Sequence, residues 1–223
     1  MRLVYTGFPE AIKISSPGQL ILTLESPNLY RQFLLALHQQ ALGEEDEVAC
    51  YPILGSRKEC QLETIFHPLL LDVNEKKILK KLERMLLSYV TEDYQAFIGL
   101  QQHLQEYLYD IAEALPVGVS WSTEMNQKKL LQLFCFNILT AGENSLERLL
   151  SYLEVITELN LAEVFLIDQL SAYFEAQDIT AVIQYAQQKE LTLILIERQE
   201  IKGGEEASKY ILSVKLCSVR LEK

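Results

Sequence analysis

Glu163-Val164-Phe165-Leu166-Ile167-Asp168, a helical pattern from about Ala176 to Lys189, and then Leu191-Thr192-Leu193-Ile194-Leu195-Ile196 decide the fold class. Both apolar runs are short and nearly continuous, as in strands buried on both faces. A strand, a helix and a second such strand imply parallel pairing through a right-handed crossover. Downstream, Gly203-Gly204 makes a loop and Tyr210 to Leu216 a final strand. Upstream, Asn144-Ser145 starts a helix that runs to about Leu159.

The first seventy residues add short strands and one helix. Arg2 to Thr6 and Ala11 to Ile14 flank a Gly7/Pro9 turn, a hairpin signature, and Gln19 to Leu24 is a further strand. Ser26 before Pro27 marks a helix start, and Gly43 ends that helix before the acidic run Glu44 to Glu47. Val48 to Leu54 and Lys58 to Leu62 read as a second hairpin around Gly55-Ser56. Thr64 to Leu71 reads as a strand buried on both faces.

From Asp72 the period changes to 3.6 residues. Helices are expected from about Asn74 to Val90 and from about Ala96 to Leu115. The second carries Phe97, Leu100, Leu104, Leu108, Ile111 and Leu115 along one stripe. Pro116 and Gly118 stop it, Val117 to Trp121 is extended, and Ser122 or Thr123 caps a helix through Leu139, broken at Ala141-Gly142. The fold class expected is therefore α/β, a mostly parallel sheet head with N-terminal β-hairpins and an inserted all-helical lobe. The head takes residues 1–73 and 146–223, and the lobe takes 74–145.

The 223 residues, 49% hydrophobic and 23% charged, fit a folded soluble chain of one or two domains. No apolar run approaches the ~18 residues of a membrane span, and no signal-peptide core follows Met1-Arg2. Cys50, Cys60, Cys135 and Cys217 form no CxxC pair, so reduced, buried thiols in a cytoplasmic protein are expected, Cys135 among them in Leu133-Phe134-Cys135-Phe136.

Enzymatic signatures are sparse. Asp168 at the end of an apolar strand is where nucleotide hydrolases hold magnesium. The phosphate cradle GxxxxGK[ST] which that role needs is absent, and a strand-end Asp also caps following turns. His38, His67 and His103 lack HxxxH or HExxH spacing, so no histidine metal site is indicated, and Glu44 to Glu47 reads as a solvated run.

One feature is sharper. Lys76, Lys77, Lys80, Lys81 and Arg84 put five of twenty basic residues within nine positions of a chain whose net charge is −11. On a helix they span only about 140° of the circumference. Ile78, Leu79, Leu82, Met85, Leu86, Tyr89 and Val90 fill the other side, with Glu75 and Glu83 at the margin. Residues 85–127 contain no Lys or Arg and six carboxylates. Any amphipathic helix needs a polar face, but this concentration of charge is also the footprint of a polyanion site, with Lys128 and Lys129 as weaker candidates.

Leu69-Leu70-Leu71-Asp72-Val73-Asn74 resembles the entry into the first long helix of the accessory adaptation protein of type II-A CRISPR systems. Ala114-Leu115-Pro116-Val117-Gly118-Val119 is similar to that family's helix end. So are Ser145-Leu146-Glu147 through Val164–Ile167 to Leu193–Arg198, and Lys209-Tyr210-Ile211-Leu212. The likeness covers roughly residues 64–216, and residues 1–63 agree in element order alone. It implies an α/β head with a helical extension, assembled as a homotetrameric ring. The ring's lumen would hold double-stranded DNA without sequence preference, entering from free ends. The implied role is acquisition of new spacers beside the CRISPR integrase proteins and the effector nuclease, with no enzymatic activity. The resemblance also implies calcium, held by carboxylates near the third long helix. Val117 to Glu124 supplies one carboxylate there, so most of those ligands are missing and no metal-binding residue is assigned. Two further readings remain open: a degenerate nucleotide hydrolase using Asp168, and a protein–protein adaptor using the acidic surface.

Overall fold

A computed structural model describes residues 1–44, 47–52, 59–122, 126–139, 142, 144–213 and 218–221. In chain order the elements are β1 (Arg2–Tyr5), β2 (Ile12–Lys13), β3 (Gly18–Leu24), α1 (Pro27–Leu42), β4 (Val48–Tyr51) and β5 (Leu62–Ile65). Then come α2 (Lys76–Glu92), α3 (Tyr94–Glu113), α4 (Gln127–Leu133), α5 (Ser145–Glu158), β6 (Val164–Asp168), α6 (Ala176–Gln188), β7 (Thr192–Glu197), β8 (Ser208–Leu212) and β9 (Ser218–Leu221). The chain divides into two compact units, Met1–Asp72 with Thr140–Lys223, and Val73–Leu139.

The first unit is built on a six-stranded sheet of order β5-β6-β7-β3-β8-β9. Its first five strands run parallel, and β9 returns antiparallel on β8. The fold class is the expected α/β with a mostly parallel sheet. β6 and β7 are buried along their whole length, as their continuous apolar runs require. On one face Leu20, Leu22, Leu24, Leu166 and Ile194 join a core with α1 and a small antiparallel sheet of order β2-β1-β4. α5 and α6 bring a second set of buried residues, among them Leu149, Leu153, Val182 and Ile183.

Local signals explain the boundaries. Ser26 caps α1 by accepting from the Leu29 N–H, and Gly43 closes it at φ 76°, a left-handed conformation that suits glycine. Gly204, at φ 65°, lies so close to Ile21 and Ile183 that an added Cβ would come within 2.5 Å of the Ile183 Cδ1.

Several expectations are corrected. Among the described residues the second hairpin is not paired as strands: β4 pairs with β1, with Leu3 opposite Cys50, while Leu62 opens β5 in the other sheet. Among the described residues, the two arms are joined by a bond from the Cys60 N–H to the Cys50 carbonyl at 2.8 Å and one from the Tyr51 hydroxyl to the Glu59 carboxylate at 2.5 Å. The proposed turn at Gly55-Ser56 lies outside the described residues. The strand expected over Thr64–Leu71 ends at Ile65; Pro68, which has no N–H for a ladder, stands three residues on, and Leu69 and Leu70 are exposed. β5 is an edge strand with alternate burial, so it is not buried on both faces. The last strand is two: β8 stops at Leu212, and β9 was not anticipated.

The helical unit also differs in detail. α2 starts two residues late because the Asn74 side chain is engaged elsewhere. Its Nδ2 donates to the Ile138 carbonyl (3.1 Å), and its Oδ1 accepts from the Ile138 N–H (2.7 Å). α4 is capped by Asn126, whose side chain accepts from the Lys129 N–H, and not by Ser122; Thr123 lies outside the described residues. It ends at Leu133, well short of Leu139, and Cys135 follows at φ 45°. Cys135 is exposed and not buried, in company with Leu133 (77% exposed), Phe134 and Phe136. Cys50 is buried as expected, its thiol pushed up to about 12 by desolvation, and Cys217 lies outside the described residues. Among the described residues no helix is long and apolar enough to cross a membrane.

Candidate nucleic-acid interface

All five stripe residues fall on α2. Lys76, Lys77, Lys80 and Arg84 are exposed and Lys81 is half-buried, while Ile78 on the other side is fully buried. Among the described residues, Lys76, Lys80, Lys81 and Arg84 take part in no ion pair. Lys76 and Lys77 occupy the first turn, and no acidic residue stands there. A helix N-terminus carries a partial positive charge, so helix stability alone disfavours cations at this end. The macrodipole therefore does not account for Lys76 and Lys77.

The same face continues past Arg84 into an open groove. A depression of about 440 Å³ lined by Arg84, Leu87, Ser88, Thr91 and Glu92 shares Leu87 and Thr91 with a larger groove of about 960 Å³. α3 contributes Tyr94 and Phe97 to that groove, and α4 contributes Lys128 and Lys129. Sequence reading found both lysines, but not that they share a groove reaching back toward Arg84. Nor did it find Tyr94 or the surrounding amides, because those residues come from three separate segments.

The apolar row expected on α3 is largely uncovered within the chain. Phe97 is buried, whereas Leu100, Leu104, Ile111 and Leu115 are exposed. Together with Leu139, 92% exposed, they leave more apolar surface than a lone soluble unit usually presents.

In the α/β unit, Asp168 sits at the end of β6 and accepts a hydrogen bond from the Tyr30 hydroxyl at 2.5 Å. Tyr30 in turn accepts from the Gln169 side-chain amide. Glu197, 1% exposed at the end of β7, accepts from the Ser171 N–H (3.1 Å) and the Ser171 hydroxyl (2.6 Å). Asp168 thus ties β6 to α1, and does not cap the turn that follows it. β3 passes into α1 through Glu25-Ser26-Pro27, where a nucleotide hydrolase would need a glycine-rich cradle.

Burial raises the pKa of both carboxyls, against the hydrogen bonds from Tyr30 and from Ser171. A folded-state pKa above the unfolded one means stability that is complete below the unfolded value, about 4, and is lost as pH rises through the folded value. Urea unfolding from pH 4.5 to 7.5 should therefore show the parent losing stability relative to Glu197→Gln as pH rises. The parent gaining on that variant would contradict the direction assigned here.

The described residues near α4 do not supply a ligand set for the calcium implied by resemblance. Val117 to Ser122 offers no carboxylate, Glu124 lies outside the described residues, and among the described residues no group of three His, Cys, Asp or Glu side chains is placed to hold a metal.

Comparison with known proteins bears on what such a chain is. The model of the family CRISPR-associated protein (Cas_Csn2) matches residues 54–216, most of the chain. The crystal structure of Stu0660 of Streptococcus thermophilus is similar in fold, with a TM-score of 0.58 at 13% identity, over 100% of this chain and 77% of that one. An inward-facing conformation of a putative metal-chelate type ABC transporter aligns over 99% of this chain and 80% of its own at 13% identity. Its TM-score of 0.42 is too low to bear on function. No curated protein matches. Neither the stripe nor the fold alone names a family, but a family model spanning β5 to the end of β8 does, and the chain belongs to the CRISPR-associated Csn2 family.

Proposed function

We propose that this Csn2-family chain is a non-enzymatic ring protein that binds double-stranded DNA without reading its sequence. In this reading it serves the acquisition of new spacers beside the CRISPR integrase proteins and the effector nuclease. The observation that carries it is the stripe of exposed Lys76, Lys77, Lys80 and Arg84 with half-buried Lys81, running into a groove that also holds Lys128 and Lys129. Lysines meet phosphates as flexible point charges and take no pattern from base edges, which suits sequence-blind binding. The uncovered apolar row on α3 supports self-assembly, and a homotetramer would multiply one modest stripe fourfold. A net-acidic chain would repel DNA from its outer wall and leave the basic lumen as the attractive path. Asp168 is engaged with Tyr30 and no glycine-rich cradle follows β3, so the phosphate site of a nucleotide hydrolase has no counterpart at the end of that strand.

The test is topological. A ring must be threaded from a DNA end, so linear duplex should bind at least tenfold more tightly than a covalently closed circle of the same sequence. This is measured at ~50 mM salt, where phosphate contacts count most. Light scattering on the same sample should report four chains. Equal affinity for circles and linear duplex would remove the ring, and a monomer at micromolar concentration would remove the assembly.

A further inference from the structure

The groove beside the stripe presents an aromatic face that the stacked interior of a duplex cannot use. Tyr94 stands in its wall 57% exposed, and its ring lies 6.5 Å from that of Phe97 at an interplanar angle of 28°. Phe97 is buried, so it backs Tyr94 and helps fix its ring. The lining also includes Gln101, Ser122, Asn126 and Gln127, neutral groups able to donate and accept hydrogen bonds. Lys128 and Lys129 supply the charge, and among the described residues no carboxylate lines the groove, although the chain carries a net charge of −11. Its volume, about 960 Å³, lies within the ~300–1,000 Å³ of pockets that hold small organic ligands.

An aromatic face, amides and lysines without acids call for a ligand that alternates a π-surface with a negative charge. A nucleotide strand does this when its bases are unpaired. In duplex DNA the base faces are stacked on one another, so the Tyr94 hydroxyl could meet a phosphate but its ring would find no base face to stack on. An acidic peptide would satisfy the lysines and leave the ring idle. Single-strand sites elsewhere combine these parts, a basic track with aromatic platforms.

We infer that the groove between α2, α3 and α4 binds an unpaired segment of DNA, stacking a base on Tyr94 and holding its phosphates at Lys128 and Lys129. This rests on the proposed duplex binding in one respect: Arg84, at the end of the stripe, adjoins the groove and places the unpaired segment next to a bound duplex end. The groove would then register whether an end is blunt or carries an overhang. Gln101, Ser122, Asn126 and Gln127 would hydrogen-bond base edges exposed by the loss of pairing.

The test compares three probes by fluorescence anisotropy: a blunt duplex, the same duplex with a four-nucleotide overhang containing 2-aminopurine, and a single-stranded deoxyoligonucleotide. In the parent, the overhang should tighten binding by about 5- to 150-fold, the range for one stacked base. The 2-aminopurine emission should be quenched on binding. Tyr94→Ala should bring the ratio of overhang to blunt affinity to about one, with the quenching lost, and Tyr94→Phe should restore both. Circular dichroism confirms that each variant is folded. If the parent binds blunt and overhanging duplexes equally, the groove assignment is overturned and the duplex reading stands. An increment that survives Tyr94→Ala overturns it as well. If no duplex binds but the single strand does, and Tyr94→Ala abolishes this, the groove stands and the duplex reading falls.

Discussion

Replacing Lys76, Lys80 and Arg84 together by glutamate is expected, on the proposed function, to abolish duplex binding while leaving the protein folded. Each neutralised phosphate contributes a slope of about −0.9 in log K against log salt, so five contacts on one helix give a slope near −4.5. The parent should accordingly lose roughly 500-fold in affinity between 50 and 200 mM salt. The triple variant removes three of those contacts and places three like charges against the phosphates, a loss expected to exceed ~100-fold even at 50 mM salt. Stability should not follow. The three side chains are exposed, glutamate is as good a helix former as lysine or arginine, and an acidic residue at position 76 complements the helix N-terminus. Lost binding with an unchanged or higher melting temperature therefore separates a binding face from a structural one. Binding equal to the parent would mean that α2 does not line the path of the DNA.

The largest stability effect is expected at Phe33. It is fully buried in α1, its ring 5.1 Å from that of Tyr5 and 5.0 Å from that of Phe8, and those two lie 5.1 Å apart with an edge-to-face angle of 81°. These rings join the small sheet to the helix that covers the large one. Truncation to alanine removes the apolar area and leaves a cavity ringed by aromatics that cannot collapse into it. The cost for such a change is about 3–5 kcal/mol. For a chain of this size that corresponds to a fall in melting temperature of roughly 6–20 °C, readable by calorimetry. A shift under about 3 °C would show that the aromatic cluster rearranges around the gap, against the close packing described here.

The sheet was legible where periodicity and punctuation agreed. β6 and β7 stand out as continuous apolar runs, and α1 announces both ends through Ser26-Pro27 and Gly43. Reading failed where composition and backbone chemistry diverged. Leu69 to Leu71 look like a buried strand, but Pro68 comes first and the leucines lie in a turn. Leu133 to Phe136 look like more of α4, yet Cys135 adopts a left-handed conformation that ends it. The stripe could be read because five charges sit on one helix. The groove could not: Leu87, Tyr94 and Lys128 come from three helices and meet only once these pack, and nothing in their local sequence marks them as partners.

The paired hydrogen bonds between Asn74 and Ile138 close the helical unit at its own neck, as two strand residues would. β5 and β6 pair directly although roughly a hundred residues separate them. Excising the helical unit would shorten that connection to about thirty, a change worth only about 1 kcal/mol in loop-closure entropy. The scaffold is thus almost indifferent to what is spliced in at this point. Over evolutionary time the inserted segment can be lengthened, reshaped or exchanged whole, while the register of Leu62 on Val164 stays fixed.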